Sequence, residues 1–293
     1  MNLAAIDIGS NAARLLITEV IDSNKEAPRF NKLNLIRVPL RLGFDVFEFN
    51  SISSEKIQML IQTLKAFRHL INAYNITHIK ACATSAMRDA KNAQQILSQI
   101  KKETGLDIEV ISGEFEAQLV YENHVAENLD KDHNYVYVDV GGGSTEVSVF
   151  ANNSLAFNKS FNIGTIRLLK NKVKDDDWES MKFEIKNATK SFKNLVAIGS
   201  GGNINKIFSM SKKKDGKPLN IDLLRDYHRE LGAFSIEERI EQYSLRVDRA
   251  DVIVPALQIY INVMRWADCE EIYVPKIGLA DGLIQHLWEE INH

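Results

Sequence analysis

The sequence predicts an α/β protein built from two similar domains, and three observations carry that prediction. The chain has 293 residues, 45% hydrophobic and 26% charged, which suits about two soluble domains with sizeable cores. Short apolar runs alternate with helical patterns along nearly its whole length. The pattern also restarts. Ala4-Ala5-Ile6-Asp7-Ile8-Gly9-Ser10-Asn11 lines up with Val136-Tyr137-Val138-Asp139-Val140-Gly141-Gly142-Gly143, the second copy following a polar, unpatterned stretch at 128–134. Each half opens with a strand, an Asp-x-Gly turn and further strands, then alternates helix and strand. The expected domains are 1–128 and 129–293, with the two turns facing each other across an interdomain cleft, a favoured place for ligands.

The first half reads as a strand at 3–8, a turn, a strand at 15–21 and a third strand at 34–42. Ser53 is an N-cap, and Ile57, Leu60, Ile61, Leu64, Phe67, Ile71 and Tyr74 then keep helical spacing. A strand at 79–83, a helix at 85–104 closed by Gly105, a strand at 107–111 and a helix at 113–128 follow. The second half has strands at 135–140, 145–150 and 155–161, helices at 164–172 and 175–193, a strand at 195–199 and a helix from 202. A basic loop at 212–217 reads as solvated surface. Helices at 221–231, 235–243 and 251–266, a strand at 271–274 and a closing helix at 279–291 complete the chain. The closing helix is expected to pack back on the N-terminal domain.

Net charge is −3, so the chain has no global attraction for nucleic acid, and a polyanion would need local Arg and Lys clusters. Cys82 and Cys269 lack metal-ligand spacing and read as reduced core thiols of a cytosolic protein. The first residues enter a strand with no basic region and no signal-type apolar core. No apolar run approaches the length of a membrane span. The seven histidines show no HxH or HExxH spacing, and none is assigned to metal.

The stretch Val138 to Glu146 organises the rest. An apolar strand ends in Gly141-Gly142-Gly143 and resumes at Glu146. Three glycines let the backbone turn tightly and bring its N–H groups against a ligand, a concavity suited to a phosphate oxygen. Asp139 enters the turn and Glu146 leaves it. Two carboxylates beside a phosphate cradle call for a hard cation between them, and Mg²⁺ fits because it combines a few carboxylates with water and phosphate oxygens. The plain alternative is a Gly-rich hairpin, although ordinary hairpins need one glycine and not three.

These turns resemble the phosphate loops of the actin, sugar kinase and heat-shock chaperone superfamily, and within it the exopolyphosphatase and guanosine pentaphosphate phosphohydrolase (Ppx/GppA) family. Five blocks carry the resemblance: Ala5 to Asn11, Ala83-Thr84-Ser85-Ala86-Met87-Arg88, Ile111-Ser112-Gly113-Glu114-Phe115-Glu116-Ala117, Asp139 to Glu146, and Gly199-Ser200-Gly201-Gly202-Asn203. A weaker sixth block runs from Arg249 to Pro255. Gln118 stands where relatives usually have Arg, and Asn203 where they usually have Thr. The resemblance implies duplicated actin-like (ribonuclease H-like) domains in a short, two-domain form.

It also implies roles. Glu116, on the first turn of a helix freed by Gly113, would be the base that activates water; the alternative is that Glu114 and Glu116 only complement the helix dipole. Asp7, Asp139 and Glu146 would hold Mg²⁺, directly or through water; for Asp7 the alternative is a turn-capping Asp. Gly9, Ser10 and Asn11, together with Gly141, Gly142, Gly143 and Ser144, would bind phosphate oxygens. Arg88 would reach a phosphate, with a surface salt bridge as its alternative. Arg14 and Arg249 are weaker candidates for trailing phosphates. Gly201, Gly202 and Asn203 form a second Gly-rich turn ahead of a helix, suited to an anion.

The expected activity is Mg²⁺-dependent removal of terminal phosphate from polyphosphate or pppGpp. Its rivals are a kinase or ATPase of the same superfamily and a non-catalytic (p)ppGpp or polyphosphate sensor. The expected partner is the polyanionic substrate, with no nucleic acid, no membrane and room for a homodimer.

Overall fold

Two mixed sheets form, one in each half of the sequence, each flanked by helices. The computed structural model describes residues 1–23, 26–121, 134–152 and 154–292. The chain divides into two compact units, Met1–Ser112 with Leu279–His293, and Gly113–Gly278.

The first sheet grows from β1 (Asn2–Ile8), whose residues after Asn2 are all buried, as an unbroken apolar run requires when both faces are covered. It pairs antiparallel with β2 (Ala12–Ser23), which pairs antiparallel with β3 (Glu26–Pro39). β3 starts well before the expected residue 34, because its early residues are polar and include Pro28, and only the ladder with β2 identifies them as strand. α1 (Leu42–Phe49) was not expected; it opens after Arg41, which holds a left-handed φ of 55°. α2 (Ser54–Ala73) begins at the expected cap, with Ser53 Oγ accepting from Lys56 N. On the other side of β1, β4 (His78–Ala83) runs parallel to it.

The single helix expected at 85–104 is two, α3 (Ser85–Asp89) and α4 (Ala93–Thr104). Ala90 between them is extended, and the Asn92 side chain donates to Ile52 O and accepts from Ile52 N, tying this point to the loop before α2. A tertiary tether, not a local breaker, splits the helix. Gly105, at φ 65°, closes α4 as expected. β5 (Glu109–Val110) adds parallel to β4, completing the order β3-β2-β1-β4-β5.

The second unit opens with α5 (Gly113–Tyr121); the rest of the helix expected to 128 lies outside the described residues. β6 (Asn134–Val140), β7 (Thr145–Ala151) and β8 (Ser154–Phe161) form an antiparallel meander. α6 (Thr165–Leu169), α7 (Asp175–Thr189), β9 (Leu195–Ser200) and α8 (Gly202–Ser211) follow. Then come β10 (Leu219–Asn220), too short for a sequence signal, α9 (Ile221–Ala233), α10 (Ile236–Tyr243), α11 (Val247–Ala250), α12 (Ile253–Trp266) and β11 (Glu271–Tyr273). The sheet order is β10-β11-β9-β6-β7-β8. Without the edge strand β10 it is the first sheet again, strand for strand and direction for direction. α12 fills the core with Ile253, Ala256, Leu257, Tyr260, Val263 and Met264, spaced as one helical stripe.

The chain then returns to the first unit. α13 (Leu279–Asn292) packs on β1, β2 and β4, and is tied there by Lys32–Asp281 at 2.6 Å and Lys80–Glu290 at 2.8 Å. The boundary expected at 128/129 lies outside the described residues; the compact units divide between Ser112 and Gly113, because α5 packs on β7 and β8. Both cysteines are buried and outside any disulfide, and burial pushes the Cys269 thiol up to about 12. Among the described residues, no helix is long and apolar enough to cross a membrane.

Candidate active site

In the second unit the ladder register sets the chemistry. Asp139 on β6 is the direct partner of Glu146 on β7, Glu146 is the partner of Ser160 on β8, and Asp139 is the parallel partner of Ser200 on β9. Directly paired residues share a face of a sheet. The row Ser200–Asp139–Glu146–Ser160 therefore crosses four strands on one side. Glu146 is only 3% exposed, and Ser160 Oγ donates to its Oε1 at 2.7 Å.

The turn between Asp139 and Glu146 is closed by Gly141 N donating to Ser144 O at 2.9 Å. Its carbonyls are claimed by the segment that enters α6. Thr165 N donates to Gly141 O at 3.1 Å, Ile166 N to Gly142 O at 2.8 Å, and Arg167 Nε to Gly143 O at 2.6 Å. In a trans peptide, C=O and the following N–H point in opposite directions. With the carbonyls of 141, 142 and 143 turned to α6, the N–H groups of Gly142, Gly143 and Ser144 are turned away from it together. Three successive N–H groups so aligned make an anion-binding concavity. Gly164 permits this docking, since a β-carbon there would lie 2.5 Å from the carbonyl carbon of Gly143.

α5 docks its first turn on the same ladder. A β-carbon on Gly113 would lie 2.2 Å from the Ser160 β-carbon and 3.7 Å from Glu146 Oε1. Asn158 Nδ2 donates to Glu114 O at 3.1 Å, holding the first turn on β8. Glu116 is buried at 8% exposure, while Glu114 and Gln118 are exposed. The helix thus sorts its two acidic residues, one turned into the protein and one out.

The second Gly-rich turn adjoins this row. Gly201 has φ 112°, and a β-carbon on it would lie 3.1 Å from Asp139 Oδ1, 3.2 Å from Val140 O and 3.4 Å from the Tyr260 hydroxyl. Tyr260, on α12, donates to Ser200 O; burial, then the Asp139 and Glu146 charges, raise it well above the ordinary tyrosine value, so it stays a neutral donor. Gly202 lets the Arg249 guanidinium lie against the start of α8, 2.6 Å from where a β-carbon would stand. Asn203 is buried on that first turn.

The first unit repeats the frame with different side chains. Gly9 N donates to Ala12 O at 3.0 Å, closing the same kind of turn. The carbonyls of Ser10 and Asn11 accept from Gly43 N, and from Leu40 N and Arg41 N, so the entry to α1 plays the part of the entry to α6. Ser10 Oγ shares a 2.8 Å hydrogen bond with Ser85 Oγ. Asp7 is buried, and its register partner is Arg14, whose Nη1 reaches Asp7 Oδ2 at 2.5 Å. The Arg88 guanidinium donates to Ile111 O at 2.7 Å, at the end of β5.

The expected residues are thus found in two sets. Asp139, Glu146, Glu116, the 141–144 turn, the 201–203 turn and Arg249 form one connected neighbourhood within the second unit. Asp7, Arg14, Gly9, Ser10, Asn11 and Arg88 belong to the first unit. Among the described residues, no three His, Cys, Asp or Glu side chains converge as a full metal cage would require. The pair Asp139 and Glu146 still suits Mg²⁺, which keeps most of its waters and often takes one or two carboxylates plus substrate phosphates. Sequence reasoning missed Ser160, Gly164, Arg167 and Tyr260; of these only Gly164-Thr165, a glycine at a helix start, carries a local signal.

A model of the Ppx/GppA phosphatase family matches residues 20–290. The chain is 31% identical over 72% of its length to a bifunctional 3-dehydroquinate synthase/phosphatase of Fusobacterium nucleatum, of which it covers 34%. It is 26% identical over 99% of its length to a guanosine-5'-triphosphate,3'-diphosphate pyrophosphatase of Vibrio vulnificus, of which it covers 60%. It therefore spans between about a third and three fifths of the length of these relatives. Among solved structures, an exopolyphosphatase from Cytophaga hutchinsonii matches with TM-score 0.85 at 26% identity, covering 99% of this chain and 98% of that one. The Aquifex aeolicus member of the Ppx/GppA family matches with TM-score 0.80 at 26% identity, covering 100% and 99%.

Proposed function

Since the chain belongs to the Ppx/GppA phosphatase family and has its duplicated, actin-like α/β fold, we propose that it is a phosphoanhydride hydrolase that releases terminal phosphate from inorganic polyphosphate or pppGpp. The observation that carries this reading is the 141–144 turn, whose carbonyls are bound to the entry of α6 and whose N–H groups are thereby aligned for a phosphate. Relatives named as an exopolyphosphatase and as a guanosine-5'-triphosphate,3'-diphosphate pyrophosphatase support the substrate class.

In this reading the N–H groups of Gly142, Gly143 and Ser144 hold the terminal phosphoryl oxygens. Glu116, buried on the first turn of α5, accepts a proton from a water. The water oxygen bonds to phosphorus as the bridging P–O bond breaks, and that electron pair leaves with the shortened chain. Arg249 and the 201–203 turn neutralise oxygens further along the substrate. Asp139 and Glu146 would hold Mg²⁺, which supplies charge neutralisation at the phosphate oxygens. Asp7, also proposed as a Mg²⁺ ligand, is paired with Arg14 in the first unit, where the Gly9-Ser10-Asn11 turn and Arg88 are proposed to take phosphate oxygens. Two buried thiols fit a cytoplasmic setting.

The test is phosphate release measured side by side on long polyphosphate, short polyphosphate, pppGpp and ATP. Release from one or more of the first three, exceeding that from ATP, is expected. Release from ATP alone, or transfer of its phosphate to a sugar, would replace the hydrolase reading with the kinase or ATPase one. Binding without release would make the chain a sensor.

A further inference from the structure

Beneath the start of α5, β7 and β8 present a polar ladder of which the chemistry above uses only Glu146. Glu146 is paired with Ser160 and Ser148 with Asn158. Residues two apart on a strand share a face, so all four lie on one side. Ser160 donates to Glu146 at 2.7 Å, and Ser148 Oγ donates to Asn158 Oδ1 at 3.2 Å. Asn158 then donates to Glu114 O at 3.1 Å, and Gly113 sits directly on Ser160.

We infer that Ser160 is a positioning residue for hydrolysis: its hydroxyl aims the Glu146 carboxylate, and its β-carbon seats the first residue of the helix that carries Glu116. The inference rests on Glu116 and Glu146 acting as proposed above. The two functions meet at this position. A β-carbon on Gly113 would stand 2.2 Å from the Ser160 β-carbon and 2.3 Å from its Oγ, so the helix start is in contact with the group that holds Glu146. Alanine at 160 keeps the seat and loses the donor. Glycine loses both. Serine satisfies both demands, and a shift at this point would move both carboxylates.

The test measures kcat, KM and the thermal midpoint of the full chain with short polyphosphate. Ser160→Ala should lower kcat about 10- to 100-fold and leave KM within about 2-fold, the signature of a misplaced reacting group and not of a lost substrate contact. Its thermal midpoint should stay near wild type. Ser160→Cys keeps a weak donor of similar size and should recover part of the loss. Gly113→Ala should lower both kcat and the midpoint; adding Ser160→Gly should restore the midpoint and not kcat. Wild-type kcat in Ser160→Ala overturns the inference. So does a loss of kcat that follows the midpoint through all the variants, since that is the mark of a merely structural serine. Glu146→Gln is run in parallel. If it is fully active, the proposed role of Glu146 falls first; if it is inactive beside a fully active Ser160→Ala, only the Ser160 inference falls.

Discussion

The two Asp-x-Gly hairpins share a backbone and differ in charge. Both close with a glycine N–H donating across the turn, at 3.0 Å from Gly9 and 2.9 Å from Gly141. Both commit turn carbonyls to the entry of a following helix, and both sit at the end of a central strand with the same neighbours in sheet order. The rows across the strands diverge. In the first unit the row is Cys82–Asp7–Arg14–Arg37, with formal charge −1 + 1 + 1 = +1. In the second it is Ser200–Asp139–Glu146–Ser160, with charge −1 − 1 = −2. A row holding Arg beside Asp suits an anion. A row holding two carboxylates suits a hard cation. The two copies share one frame, and the residue opposite the Asp sets the charge of its row.

The proposed base is the sharpest test of that difference, because α5 docks on the strands of the acidic row. Glu116→Gln keeps the shape and cannot take the proton, so kcat should fall about 10²- to 10⁴-fold with KM nearly unchanged. Glu114→Gln, exposed on the same turn, should cost little. The reverse ranking in steady-state kinetics would mean that the wrong carboxylate has been chosen.

Next in size is the metal response. Asp139→Asn and Glu146→Gln should raise the Mg²⁺ concentration for half activity about tenfold or more, since outer-shell changes alone commonly cost 10- to 100-fold in metal affinity. Arg14→Ala should leave that midpoint in place and raise KM, while Asp7→Asn should shift the midpoint less than Asp139→Asn, because Asp7 is already paired with Arg14. A Mg²⁺ titration in which Asp7→Asn shifts as far as Asp139→Asn would break the division between the two rows.

The smallest contrast is steric. Gly164→Ala forces a β-carbon to within 2.5 Å of the Gly143 backbone and should cost about 1–3 kcal/mol by overpacking. Gly9→Ala meets nothing nearer than Ala12 O at 3.4 Å and should stay within about 0.5 kcal/mol. Denaturant unfolding of the two variants checks this; equal midpoints would show that α6 does not grip its turn as tightly as described.

Much of this was legible from local pattern. The repeated strand-turn motif marked the duplication, Ser53 and Gly105 marked a helix start and a helix end, and the stripe on α12 marked the second core, because caps, turns and periodicity act over a few residues. The failures share one cause. β3 is polar along its first half and is a strand only because β2 pairs with it. The expected helix at 85–104 breaks where Asn92 grips Ile52, forty residues away. α1 opens on a left-handed Arg41 that no local rule favours.

The same division runs through the candidate site. The sequence alone determined which residue types stand at the turns: the glycines, Asp7, Asp139, Glu146 and the helix beginning at Gly113. Their spacing follows from backbone sterics and needs no partner. Only the tertiary structure decided that Arg14 pairs with Asp7, that Glu116 and not Glu114 turns inward, and that Ser160 stands between Glu146 and Gly113. Those are contacts across a ladder or between a helix and a sheet. Strand register sets them, and register is fixed by how both faces of the whole sheet are buried.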